Sequence, residues 1–235
     1  MEKQPIMVIT GTSKGIGRGL AEYFVKQGYL VVGCSRGSAA FAGEGYEHYQ
    51  LDLRDSAQVR TWIRTIKRKY GRIDVLVCNA GVAPADLLLT MTTDEVLDAV
   101  LYANIRGTFL LCREVSKVMM LQQSGRIVTV SSMAVGLHQE GTSAYSASKS
   151  AIVELTKILA KELAPLGITC NVLAPSMMMS DAVEVLGDVV IQRALDKLTI
   201  KRAVSIKEVA NVISFFCAPA SCCITGQVIY MGLVV

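Results

Sequence analysis

Short apolar runs and longer segments of mixed character alternate along the chain. PIMVIT (residues 5–10), YLVVGCS (29–35), YEHYQLDL (46–53), DVLVCNAG (74–81), GRIVTVSS (125–132), GITCNVLAP (167–175) and GQVIYMGLVV (226–235) read as strands. Most are near-continuously apolar rather than alternating, which marks strands buried on both faces of a parallel sheet. Between them, residues 16–27, 56–70, 94–122, 144–164 and 206–217 are long enough to be crossover helices. Three of these start on capping-box signals: Asp55-x-x-Gln58, Thr92-x-x-Glu95 and Ser205-x-x-Glu208. The alternation predicts an α/β, Rossmann-like doubly wound fold, a seven-stranded parallel sheet with helices on both faces. Such sheets bind ligands outside the carboxyl ends of their strands, near the point where strand order reverses.

Composition narrows the picture. The chain has 235 residues, 51% of them hydrophobic, and no low-complexity tract or internal repeat, so one domain over 1–235 is expected. Net charge is only +4, from 24 Lys+Arg against 20 Asp+Glu, which weighs against a nucleic-acid partner. The densest basic stretch, RTWIRTIKRKYGR (60–72), reads as a solvated helix face with Trp62, Ile63 and Ile66 turned inward. Seven cysteines without CxxC spacing or a signal peptide point to a reducing, cytoplasmic setting. No apolar run reaches the roughly 18–20 residues of a membrane span, so no membrane association is expected. His48 and His138 are far apart with no third ligand in view, so no metal site is expected, and His138 reads as a loop residue.

Chemistry enters at the first strand, which runs into TGTSKGIG (10–17). Glycines 11, 15 and 17 would let the backbone approach a pyrophosphate at a helix N-terminus. The second strand ends in Cys34-Ser35-Arg36, with no carboxylate for a ribose 2′-hydroxyl. Arg36, together with Lys14 in the glycine loop, suits the 2′-phosphate of NADP. Near the start of a later helix, Tyr145 and Lys149 stand four residues apart in SAYSASKSAIVE and therefore share a face.

These motifs together resemble the short-chain dehydrogenase/reductase family over essentially the whole chain. TGTSKGIG is similar to its TGxxxGxG, and Asn79-Ala80-Gly81 to its NAG element. Asn104 stands at its helix asparagine, Ser132 precedes Tyr145 by 13 residues, and Tyr145-Ser-Ala-Ser-Lys149 is its YxxxK. The resemblance implies a catalytic set of Asn104, Ser132, Tyr145 and Lys149. It implies NADP(H) contacts from Gly11, Ser13, Lys14, Gly15, Ile16, Gly17, Arg36, Asp52, Leu53, Asn79, Ala80, Gly81, Tyr145, Lys149, Pro175, Met178 and Ser180. Asp52 and Leu53 would hold the adenine, residues after the sixth strand the carboxamide, and Asn104 a water that relays protons to Lys149.

The implied reaction is ketone reduction. A phenol with a pKa of about 10 must fall about 3 units to exchange protons readily near neutrality, about 4 kcal/mol of differential stabilisation. An adjacent Lys149 cation is expected to drive that fall. Ser132 would donate to the developing alkoxide, and period-two alternation puts Ser131 on the opposite face. Met177-Met178-Met179 could meet an acyl or aromatic substrate, or simply pack. Three departures stand out: Ser176 for the usual glycine after Pro175, Tyr230-Met231-Gly232-Leu233 for the usual Asp/Asn-Gly-Gly, and Cys222-Cys223 for an acidic–aromatic pair.

Within the family the chain is most similar to 3-oxoacyl-[acyl-carrier-protein] reductases. That implies a 3-oxoacyl thioester substrate on an acyl-carrier protein, and a homodimer or homotetramer. Arg126, Arg193, Lys197, Lys201 and Arg202 could meet an acidic carrier, or be ordinary surface charge. A ketoreductase or alcohol dehydrogenase acting on a free small molecule or polyketide is the second reading, and a non-catalytic NADP-binding scaffold the third.

Overall fold

Seven strands form one parallel sheet in the computed structural model, which describes residues 4–39, 41, 43–84, 86–179 and 187–234. They are β1 (Ile6–Thr10), β2 (Leu30–Ser35), β3 (Tyr46–Gln50), β4 (Val75–Cys78), β5 (Gly125–Val130), β6 (Ile168–Ala174) and β7 (Val228–Tyr230). Their order is β3-β2-β1-β4-β5-β6-β7, so the order reverses between β1 and β4. Alternate strand residues enter two cores, one on each face. Val8, Val32, Leu76 and Ile127 meet Val59, Trp62, Ile63 and Ile66, with Leu111 and Val115. Met7, Ile9, Val31, Val77 and Val128 meet Leu20, Phe24, Val209, Ile213 and Phe216. The basic stretch thus has its expected apolar back, with Trp62 only 4% exposed.

The helices are α1 (Gly15–Lys26), α2 (Ser56–Tyr70), α3 (Asp94–Val100), α4 (Gly107–Gln122), a short α5 (Ala134–Leu137), α6 (Ser143–Leu163), α7 (Asp188–Asp196) and α8 (Ile206–Cys217). Ser205 and Glu208 form the full reciprocal box at α8. At α2, Asp55 accepts from the backbone of Ala57 and Gln58, while Gln58 Oε1 is turned to Asp52 N. At α3 the cap lies one residue later than the sequence suggested: Thr93, not Thr92, accepts from Val96 N.

Several boundaries differ from expectation. The strands expected over 46–53, 74–81, 125–132 and 167–175 stop at Gln50, Cys78, Val130 and Ala174. The last strand keeps only Val228–Tyr230 of the expected 226–235. Residues 94–122 are not one regular helix, because a π-helical turn, Leu101–Arg106, joins α3 to α4. Helices α5 and α7 were not foreseen. Among the described residues, no helix is long and apolar enough to cross a membrane.

Candidate active site

The carboxyl ends of β1, β2 and β4 border a cleft of about 460 Å³. Gly11 turns left-handed (φ 78°), and its N–H and that of Thr12 both donate to Cys34 O. A Cβ on Gly17 would collide with the Gly11 carbonyl oxygen, so only glycine lets α1 start this close to the turn. No side chain caps α1 at Lys14, which leaves its first-turn N–H groups for a ligand. Those N–H groups and the helix dipole suit an anion there. Across the cleft, Asn79 N and Ala80 N donate to Thr10 Oγ1, and Asn79 Nδ2 to Thr10 O at 2.9 Å. These bonds lock the end of β4 to the end of β1.

Gly11, Ser13, Lys14, Ile16, Gly17, Arg36, Asp52, Leu53, Asn79, Ala80 and Gly81 all line this cleft. Gly15 is exposed in the same loop at φ 57°, with open space where a Cβ would stand. Arg36 and Lys14 are exposed, and neither makes an ion pair among the described residues. The Asp52 carboxylate is gripped by Arg54, with Nε–Oδ2 at 2.8 Å, which holds its pKa below the usual carboxylate value. The cleft therefore combines free amides, two unpaired cations and a neutralised carboxylate. That donor set fits a dinucleotide bearing an extra phosphate.

A second, largely apolar cavity of about 240 Å³ lies against Ser132 and Tyr145. Ala83, Leu87, Val96, Leu137, Met177 and Ala194 are among its walls. Lys149 Nζ stands 5.8 Å from the Tyr145 ring centre, so the two side chains do share a face. The ammonium donates to Val130 O at 2.9 Å. At Gly81 a Cβ would come within 3.3 Å of Lys149 Nζ and 3.1 Å of Asn104 Oδ1, so the bare glycine keeps these groups open toward the cleft. Ser131 behaves as alternation predicts: it is buried and donates to Lys149 O, away from Ser132.

Asn104 sits in the π-helical turn, 1% exposed. It accepts from Val82 N at 2.8 Å and donates to Val82 O and to Ser148 Oγ, each at 3.0 Å. It ties the loop after β4 to α6. Such π turns inside helices often mark functional sites.

The expected tuning of the phenol is not what the structure contains. Burial raises the Tyr145 pKa, and only the Ser132 hydroxyl works against it. Burial pushes Lys149 down to about 8. The ammonium does not bring the phenol toward neutrality, because desolvation acts on both groups.

Some expected residues lie elsewhere. Pro175 is buried and its carbonyl accepts from Met133 N. Met178 packs in the same core as Val204 and lines neither cavity, although its neighbour Met177 lines the second. Ser180 lies outside the described residues. Conversely, Thr10, Arg54, Val82 and Ser148 shape the site without having been singled out. Thr10 had one visible signal, a hydroxyl at the last strand position before the glycine loop. The others depend on which backbone comes near, which spacing does not encode.

Residues 11–232 match the family model described as Enoyl-(Acyl carrier protein) reductase. Among curated proteins, the chain is 32% identical to 3-oxoacyl-[acyl-carrier-protein] reductase FabG of Vibrio harveyi, covering 97% of this chain and 95% of the relative. It is 31% identical to the FabG of Escherichia coli K12 over the same shares. The solved structure of ElxO with NADP bound superposes with a TM-score of 0.91 at 30% identity, covering 97% of each chain. A tyrosine-to-phenylalanine variant of ElxO with NADPH bound gives the same score over 97% of this chain and 96% of that one. Sequence and fold together establish that the chain belongs to the short-chain dehydrogenase/reductase family.

Proposed function

We propose that the chain is an NADP(H)-dependent oxidoreductase that reduces a ketone to a secondary alcohol, with a 3-oxoacyl thioester on an acyl-carrier protein as its substrate. One observation carries the reading. Ser132 and Tyr145 line a largely apolar cavity, while Lys149 reaches back from Tyr145 to Gly81 on the dinucleotide cleft. The dinucleotide supplies the hydride when bound. Ser132 and Tyr145 then present two hydroxyls to one carbonyl oxygen, and Tyr145 gives it a proton. Two donors converging on one point suit a carbonyl better than the carbon–carbon double bond implied by the family model's description.

At neutral pH the Tyr145 phenol carries the proton that reduction requires, while burial, by raising its pKa, makes giving that proton up harder. Oxidation needs the phenolate, so it should gain with rising pH. Lys149 would hold the nicotinamide ribose, and Asn104 would fix the loop that carries Gly81. Arg36 and Lys14 would take the 2′-phosphate, and Asp52 and Leu53 would flank the adenine.

The FabG relatives support a carrier-bound substrate. The modest cavity also accepts a small free ketone, which keeps a free-molecule ketoreductase as the second reading. NADPH oxidation with acetoacetyl thioesters, carrier-bound and small, beside free ketones separates the two. Turnover is expected to be fastest on the carrier-bound thioester. Faster turnover of free ketones would reject the carrier assignment, and none on any ketone would reject the reductase.

A further inference from the structure

A preference of the cleft for a phosphorylated ribose would depend on how Arg36 is held, and among the described residues no side chain pairs with Arg36. Its neighbours are held. His48, on β3, pairs in register with Gly33 of β2. Its ring is not part of the cleft wall, yet it touches groups that are. Nε2 lies 3.0 Å from Gly37 O and 3.0 Å from Ser35 Oγ. Nδ1 lies 2.8 Å from the Tyr46 hydroxyl and 3.3 Å from Thr12 Oγ1. Ser35 Oγ also donates to Gly37 O at 2.7 Å, and the Tyr46 hydroxyl to Thr12 Oγ1 at 2.8 Å.

A carbonyl oxygen only accepts, so Nε2 carries a proton and donates toward Gly37 O. The ring therefore ties three segments together: the glycine loop at Thr12, the turn at Ser35 and Gly37, and β3 itself. The network fills the space over Gly33, where a Cβ would collide with Thr12 Oγ1. Ser35 and Gly37 flank Arg36, so fixing both of them fixes the backbone from which the guanidinium projects. The Gly37 carbonyl, the negative end of its peptide, is drawn onto the imidazole, which does not face the cleft.

We propose that His48 is a positioning residue for cofactor choice, which through Ser35 and Gly37 holds Arg36 toward the 2′-phosphate and so sets the preference for NADP(H) over NAD(H). The inference rests on the NADP(H) reading of the cleft. It predicts a loss confined to ligands that carry that phosphate.

The test is equilibrium binding of NADPH, NADH and adenosine 2′,5′-bisphosphate to the purified full chain, followed by fluorescence. His48→Leu is expected to weaken NADPH and the bisphosphate about tenfold, and NADH by less than about twofold. His48→Gln can still donate to Gly37 O and accept from the Thr12 hydroxyl, and is expected to restore most of the difference. Equal losses for NADPH and NADH, or no loss for either, would overturn the proposal, as would a glutamine variant no better than leucine. Should the leucine variant not fold, His48→Asn, too short to bridge Gly37 O and the Thr12 hydroxyl, takes its place with the same two outcomes. A wild-type protein with no preference for NADPH would reject the NADP(H) reading itself. A preference that survives His48→Leu would reject only the role of His48.

Discussion

Lys149 is a largely buried cation, 6% exposed. Its folded pKa is about 8 against an ordinary 10.5. Between those values the unfolded chain holds more protons than the folded one, so this residue makes stability rise with pH. Below about pH 8 the buried charge is a cost, offset in part by its hydrogen bond to Val130 O. Comparing the protein with Lys149→Met isolates the effect. From pH 7 to 9.5 the stability difference should move by about 2 kcal/mol in favour of the lysine protein, measured by denaturant unfolding. A pH-independent difference would mean that the ammonium is not desolvated. The i, i+4 spacing made the Tyr145–Lys149 pairing legible from sequence. It could not give the direction of either pKa shift, because desolvation depends on how densely β5 and the loop after β4 pack around the pair.

The elements were legible where one signal dominated. Apolar runs gave most of the strands, β3 (YEHYQ) being the polar exception, and Ser205 with Glu208 gave the start of α8. Boundaries failed where strands run into the site: Asn79, Ala80 and Gly81 continue directly from β4 but line the cleft. The turn around Asn104 was visible only as a poor helix former, since a π turn has no residue signature of its own. Helix α7 went unseen because its apolar residues, Val189, Val190 and Ile191, are largely solvent-facing. Two predictions belong at this scale. Gly17→Ala forces α1 away from Gly11, and should weaken NADPH binding at least about tenfold in a fluorescence titration. Ser205→Ala, at a position that lines neither cavity, should cost about 1 kcal/mol and lower Tm by about 2–4 °C with activity unchanged.

For the molecule as a whole, the strand order does the arranging. Reversal between β1 and β4 opens the cleft, and the strand beyond, β5, delivers Ser132 to the cavity next to it. The fold was readable because its central strands, β1, β4, β5 and β6, are buried on both faces. Substrate identity was not, because the cavity is walled by loops and by α7. The free protein is expected to be a dimer or tetramer by light scattering, and a monomer at micromolar concentration would contradict that. The account as a whole turns on Tyr145 as the proton donor to a ketone held beside Ser132. The most direct test is single-turnover NADPH oxidation on an acetoacetyl thioester by the protein and by Tyr145→Phe, with NADPH affinity measured in parallel. The variant should bind NADPH as the wild type does and react roughly a thousandfold more slowly. A variant that binds equally well and reacts at the wild-type rate would show that the proton comes from elsewhere.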